Sequence, residues 1–96
     1  MAGVRLVIQF TADSASLADE AIARSVERCK AVAQEPGCQQ FEVFRSALDP
    51  SKYVLLELWE DQAALDVHAE GMRSNPPRPQ PGIATQREDY VYNRTR

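Results

Sequence analysis

Cysteine, histidine and basic residues are all scarce in this chain, and each scarcity removes a class of function. Two cysteines, Cys29 and Cys38, cannot build a disulfide framework, and with a single histidine, His68, they match no usual spacing of a structural zinc site. Two reduced thiols and no bound metal are expected. Eleven Lys and Arg against fourteen Asp and Glu give a net charge of −3. With no basic surplus to neutralise a row of phosphates, nucleic acid is not expected as a partner. No apolar run approaches the ~20 residues that cross a bilayer, and the opening MAGVRLVIQF lacks a secretory signal's basic start, long apolar stretch and cleavage site. The expectation is a cytoplasmic protein that does not engage a membrane. Ninety-six residues leave room for one domain, residues 1–96, and 44% apolar with 26% charged residues is the mixture of a chain that folds. A domain this small buries only about 60% of its unfolded surface, which favours a core shared with a second subunit.

What is present is a clear succession of periods. Residues 4–10 put Val4, Leu6, Ile8 and Phe10 on one face of a strand and Arg5, Val7 and Gln9 on the other. Ser16, followed by Asp19 and Glu20, predicts the cap of a helix over 17–34 with Ile22, Val26, Cys29 and Ala33 as its apolar face. Pro36-Gly37 ends it. A second strand alternates Phe41, Val43 and Arg45 against Gln40, Glu42 and Phe44, and the turn Asp49-Pro50-Ser51-Lys52 joins it as a hairpin to a central third strand over 53–59. Asp61 predicts the cap of a second helix with Ala64, Leu65, His68 and Met72 on one face, and the pattern fails after Gly71. Pro76, Pro77, Pro79 and Pro81 predict an extended, partly polyproline connector in which Pro76 and Pro79 also have the spacing of an SH3-type ligand. Residues 87–93 predict a last strand with Tyr90 and Tyr92 on one face.

The order strand, helix, strand, strand, helix, strand predicts an α+β fold of ferredoxin-like type, a βαββαβ antiparallel sheet with both helices on one face. Gln9, Glu42, Phe44, Tyr53, Leu55, Glu57 and Trp59 are assigned to the opposite face. That mixture is too apolar for water and too polar for a core, and predicts a subunit interface.

The residues also carry a resemblance. Glu35-Pro36-Gly37-Cys38, Phe41-Glu42-Val43-Phe44-Arg45, Asp49-Pro50, the run from Tyr53 to Asp61, and Ala64-Leu65-Asp66-Val67-His68 together resemble the antibiotic biosynthesis monooxygenase domain family. The resemblance covers about the first three quarters of the chain and is most specific from Leu56 to His68. It implies a homodimeric α+β barrel in which two ferredoxin-like sheets pack together. The activities it implies run from cofactor-independent oxygenation of phenolic or quinol-type compounds to haem degradation, quinol oxidation and isomerisation or processing of small signals. Two departures narrow this. Many members carry a second His shortly after the first, whereas here the chain runs Gly71-Met72-Arg73-Ser74-Asn75-Pro76-Pro77, and the altered, proline-rich connector changes the lid over the usual pocket. The lone His68 is also not placed as the axial ligand of the haem degraders, which disfavours haem chemistry.

The leading expectation is therefore a monooxygenase acting on a small aromatic, phenolic or quinol-like substrate without flavin, metal or other cofactor. Such an enzyme lets the substrate do the redox work and supplies a base, hydrogen-bond donors and a dry pocket. His68 is the expected base, since imidazole alone among side chains has an ordinary pKa near neutrality. Trp59 is expected to assist with its indole N–H and a stacking face, and Tyr53, Arg87 and Tyr90 to bind substrate. Each has a plainer reading. His68, sharing a face with Leu65 and Met72, is equally a packed histidine, and Trp59 equally a packing residue at a barrel rim. Glu42 and Glu57 read as acids paired at a dimer seam or, less simply, as bases. Tyr90 and Tyr92 read as interface residues, and Arg45 as half of an ion pair or an anion contact. The alternatives in function are a small-molecule-binding or dimerisation module without activity and a cofactor-free isomerase or signal-processing enzyme.

Overall fold

A computed structural model of the chain describes residues 3–76 and 80–92. Pro77 and Pro79 of the proline-rich connector, and Asn93, the expected end of the last strand, lie outside the described residues. The elements are β1 (Gly3–Ala12), α1 (Ala15–Val32), β2 (Cys38–Arg45), β3 (Lys52–Trp59), α2 (Gln62–Ser74) and β4 (Ile83–Tyr92). The four strands form one antiparallel sheet in the order β2-β3-β1-β4, with the helices as crossovers on one face: the ferredoxin-like fold expected.

The helix boundaries follow from their caps. Ser14, not Ser16, caps α1: it is extended, and its Oγ accepts from the Leu17 N–H at 3.1 Å. Asp61 caps α2 as expected, accepting from the Ala64 N–H at 2.8 Å. α2 continues past Gly71 for a further turn, because that glycine stands in open space and its carbonyl accepts the closing bond from the Asn75 N–H. Pro76, which cannot continue a helix and restricts the residue before it, is the physical stop. β4 begins at Ile83, four residues before the sequence shows alternation. As an edge strand it is held by its ladder to β1, from Ala12 opposite Ile83 to Gly3 opposite Tyr92, and needs no apolar period of its own.

The expected division of the sheet faces requires correction. Val4 pairs with Trp59, Leu6 with Glu57, Ile8 with Leu55 and Phe10 with Tyr53, and cross-strand partners share a face. Tyr53, Leu55, Glu57 and Trp59 therefore lie with β1's apolar row against the helices, all four buried, and the outer face carries Val54, Leu56 and Leu58 beside Val7, Gln9, Glu42 and Phe44. Both sides of β3 are largely apolar, so its own period does not choose a side; its register against β1 does. α1 is likewise turned from the expected face. Ala18, Ala21 and Val32 are buried, Ile22 and Cys29 are partly covered, and Val26 and Ala33 are exposed, because alanines let the helix approach the sheet where longer side chains would hold it off.

Candidate functional site

Between the sheet and the helices lies a cavity of about 420 Å³. Its floor is the inward row of the central strands, Leu6, Ile8, Phe10, Val43 and Leu55, which makes an apolar bed. It stays open because both helices pack over β1, β2 and β3 and neither packs extensively on β4, whose inward residues at this end, Thr85 and Arg87, border it instead.

Into this bed project a few polar groups, the composition of a small-molecule site. Tyr53 lies flat on Phe10, ring centroids 4.7 Å apart and planes 10° from parallel. Burial pushes its phenol up, so the hydroxyl is a donor throughout the neutral range. Arg87 reaches the cavity from β4, with Nε donating to Asp89 Oδ1 at 2.9 Å and Nη2 to Asp89 Oδ2 at 3.2 Å. That pairing, reinforced by the negative charge of Glu57, raises the guanidinium further above the working range. Glu57 is 4% exposed and accepts the Trp59 indole N–H at 2.9 Å.

His68 borders the cavity from α2, one turn before Met72. Trp59 stacks on one side of its ring, centroids 4.8 Å apart, and Phe41 meets it edge-on at 5.8 Å, so the imidazole plane is fixed by aromatic packing. Nδ1 lies 3.0 Å from Glu35 Oε1 in the turn after α1. Nε2 is buried and has no hydrogen-bond partner among the described residues. Arg28 stands beside the same aromatic cluster, its guanidinium 5.5 Å from the Phe41 centroid and its Nη2 3.6 Å from Met72 Sδ.

Of the residues expected from sequence, His68, Tyr53 and Arg87 thus meet around one cavity. Trp59 lies behind His68, fully buried, with its N–H committed to Glu57. Tyr90 is not brought to this place: it sits on the outer face opposite Arg5, half exposed, its hydroxyl hydrogen-bonded to Glu88. Arg45 forms an ion pair with Asp19 at 2.5 Å. Sequence reasoning missed Glu35 and Arg28, and it placed Glu57 at a seam instead of in the cavity. Glu35 carried a signal nonetheless, since it opens the Pro36-Gly37 turn that must return the chain against α2. Among the described residues, no three His, Cys, Asp or Glu side chains are grouped as a metal would require.

Burial also raises the thiols of Cys29, which borders the cavity, and Cys38. With Tyr53, three acids therefore ionise later in the folded chain than in the unfolded one. Below the ordinary thiol value of 9.0 they are protonated in both states and cost nothing; above it the unfolded chain loses protons first, and stability falls. The melting temperature is expected to decline as pH rises above about 9. In the Cys29→Ala/Cys38→Ala variant the decline should begin later, in the phenol range, and an unchanged onset in thermal melts would refute the attribution.

A family model for antibiotic biosynthesis monooxygenases matches residues 3–72. Among curated proteins no sequence matches. Solved structures do. A Deinococcus radiodurans protein described as a candidate antibiotic biosynthesis monooxygenase aligns with a TM-score of 0.75 at 18% identity, over 96% of this chain and 94% of its own. A cofactor-independent oxygenase of Streptomyces nogalater aligns at 0.63 and 18%, over 97% and 95%. A dimeric ferredoxin-like protein from an uncultured marine organism aligns at 0.80 and 7%, over 99% of each. At such identities structural likeness speaks for the fold alone, and no helix among the described residues is long and apolar enough to cross a membrane. The family match rests on sequence, and it runs from β1 through all but the end of α2, taking in Glu35, Glu57, Trp59 and His68: the chain belongs to the antibiotic biosynthesis monooxygenase family.

Proposed function

We propose that this protein is a cytoplasmic, homodimeric, cofactor-independent monooxygenase of small aromatic, phenolic or quinol-like compounds. The observation that carries the reading is the histidine in the wall of a largely apolar cavity, with one ring nitrogen held by a carboxylate and the other without a partner among the described residues. A flat substrate fits on the aliphatic floor beside the Tyr53–Phe10 stack, and His68 removes its acidic proton. The resulting carbanion or phenolate gives an electron to O₂, and the radical pair combines to a peroxide. Loss of water leaves a new carbonyl: one oxygen atom enters the product, the other leaves as water, and the substrate supplies all the electrons. Tyr53, and Arg28 at the cavity's edge, supply a donor and a positive charge for the developing oxyanion. Trp59 serves through the ring it stacks against.

The Streptomyces nogalater oxygenase supports a cofactor-free reaction on this fold, and the marine protein, described as dimeric, supports pairing of two chains. Here the outer face, with Phe44 and Tyr90 exposed among Val54, Leu56 and Leu58, is the surface for that pairing, and light scattering should report twice the 10.7 kDa chain mass. The activity test is O₂ uptake with anthrones, naphthols and quinols. One O₂ should be consumed per carbonyl formed, and His68→Ala should lower turnover by roughly 10²-fold, the scale of a lost general base. One feature favours a second reading. Nε2 is shut off from solvent, as in a histidine that only packs, and a binding module without turnover has the same cavity. Such a module would bind these compounds, seen as saturable quenching of the lone Trp59, and consume no O₂.

A further inference from the structure

We propose that Glu35 is a positioning residue: its carboxylate holds His68 in the Nδ1–H tautomer, so that Nε2 is left as an unprotonated acceptor within the aromatic cluster at the cavity wall. This deepens the function proposed above and rests on it for its catalytic consequence, but the geometry behind it is independent of any substrate.

A carboxylate can only accept, so the 3.0 Å contact between Glu35 Oε1 and His68 Nδ1 requires the proton on Nδ1. In the neutral ring Nε2 is then an acceptor with no proton. The surroundings of Nε2 do not oppose this state: it is buried, and among the described residues no acceptor is placed to draw the proton to it. The ring cannot turn over to exchange its nitrogens, because Trp59 stacks on its face and Phe41 abuts its edge.

Glu35 is held as firmly as the ring it orients. Its N–H donates to the Val32 carbonyl at 2.9 Å, and its own carbonyl accepts from the Cys38 N–H at 3.1 Å, closing the turn between α1 and β2. The turn is pinned to the start of α2 by the Glu60 N–H donating to the Gly37 carbonyl at 2.8 Å. The carboxylate also reaches solvent. The His68 side chain is 6% exposed but that of Glu35 is 37% exposed, on an open depression that His68 borders from its other side. A solvated carboxylate thus steers a buried imidazole. A charge-oriented imidazole is the working part of a general base, and loss of the orienting carboxylate costs up to about 10⁴-fold in the Ser-His-Asp triad.

The single histidine makes the test direct. The chain is labelled with ¹⁵N-histidine, and long-range ¹H–¹⁵N spectra are recorded at about pH 9, above the ordinary imidazole range. The expected result for the unaltered protein is a proton on Nδ1 and an Nε2 shift of the unprotonated type. A proton on Nε2 overturns the proposal. In Glu35→Ala, whose backbone bonds are untouched, a population with the proton on Nε2 should appear. If His68 there remains wholly in the Nδ1–H form, another group holds it and Glu35 is not the positioning residue. A purely structural glutamate predicts a lower melting temperature and an unchanged tautomer. With an active substrate, Glu35→Ala should lower kcat by about 10-fold or more and leave KM near its original value, as for loss of an orienting group. An Nδ1–H tautomer in a protein that consumes no O₂ removes the oxygenase reading and leaves the positioning intact; turnover by a protein with the proton on Nε2 does the reverse.

Discussion

Replacing Trp59 by alanine should lower the stability of the domain by about 3–5 kcal/mol and its melting temperature by roughly 15 °C or more. The residue is fully buried and joins Val4, Leu6, Phe41, Leu55 and Leu65 in one core cluster, between the sheet and α2. Truncation removes the largest side chain of that cluster and leaves a void its neighbours can only partly fill. Two further losses add to the void. Glu57 Oε1 forfeits the indole N–H that accompanies its burial, and His68 loses the surface it stacks on. Trp59→Phe separates these contributions, because it keeps an aromatic surface and removes the N–H. It should cost about 1–3 kcal/mol, the scale of a buried acceptor left without its donor. Turnover per folded molecule of the Trp59→Phe variant then discriminates between roles. An indole that acts only by packing leaves turnover nearly unchanged once unfolded protein is discounted, whereas an indole that donates to substrate loses it together with the N–H. Denaturant melts and O₂ uptake on the same two variants provide the measurement.

The contrast between Trp59 and Tyr90 shows what the sequence could and could not display. Element order was legible, because β1 and the two cap-bearing helices announce themselves by period and by Asp61. The face each residue joins was legible only where one side of an element is plainly polar. β1 meets that condition, with Arg5 and Gln9 opposing Leu6 and Ile8. β3 does not: Val54, Leu56 and Leu58 oppose Tyr53, Leu55 and Trp59, and an acid lies among the residues that turn inward. Glu57 is inward because a buried donor, the Trp59 indole, meets it there, and a pairing two residues apart on one face leaves no mark in hydropathy. Tyr90 follows from the same logic on β4, where the inward set is Ile83, Thr85 and Arg87, and the tyrosine falls on the other parity. The site was legible as His68 and its neighbours along the helix. Its partner Glu35 was not, because the two are separated by 33 positions and brought together by a turn whose geometry depends on a glycine.

That glycine carries the second large effect. Gly37→Ala should destabilise the domain by roughly 2–5 kcal/mol, from a left-handed backbone that costs an ordinary residue about 1–2 kcal/mol and from overpacking of about 1–3 kcal/mol. Gly37 has φ +81°, and a Cβ placed on it would stand 2.5 Å from Ala64 Cβ and 3.1 Å from Glu60 Cγ. Ala64 Cβ is the short, inflexible side chain of a helix, so relief requires the turn and α2 to move apart. The turn carries Glu35, and α2 carries His68 one helical turn beyond Ala64. Separation therefore acts on the 3.0 Å contact between them as well as on stability. The double substitution Gly37→Ala/Ala64→Gly removes the opposing methyl and leaves the backbone strain. It should recover the overpacking share of the lost stability less the helix propensity given up at Ala64, about 1 kcal/mol, and it should restore the Nδ1–H form of His68. Chemical denaturation measures the first and the ¹⁵N spectrum the second. Gly37→Ala with unaltered stability would show that the turn does not need a glycine. Gly37→Ala that is destabilised but retains the His68 tautomer would show that the turn does not deliver Glu35 to its place through this close approach.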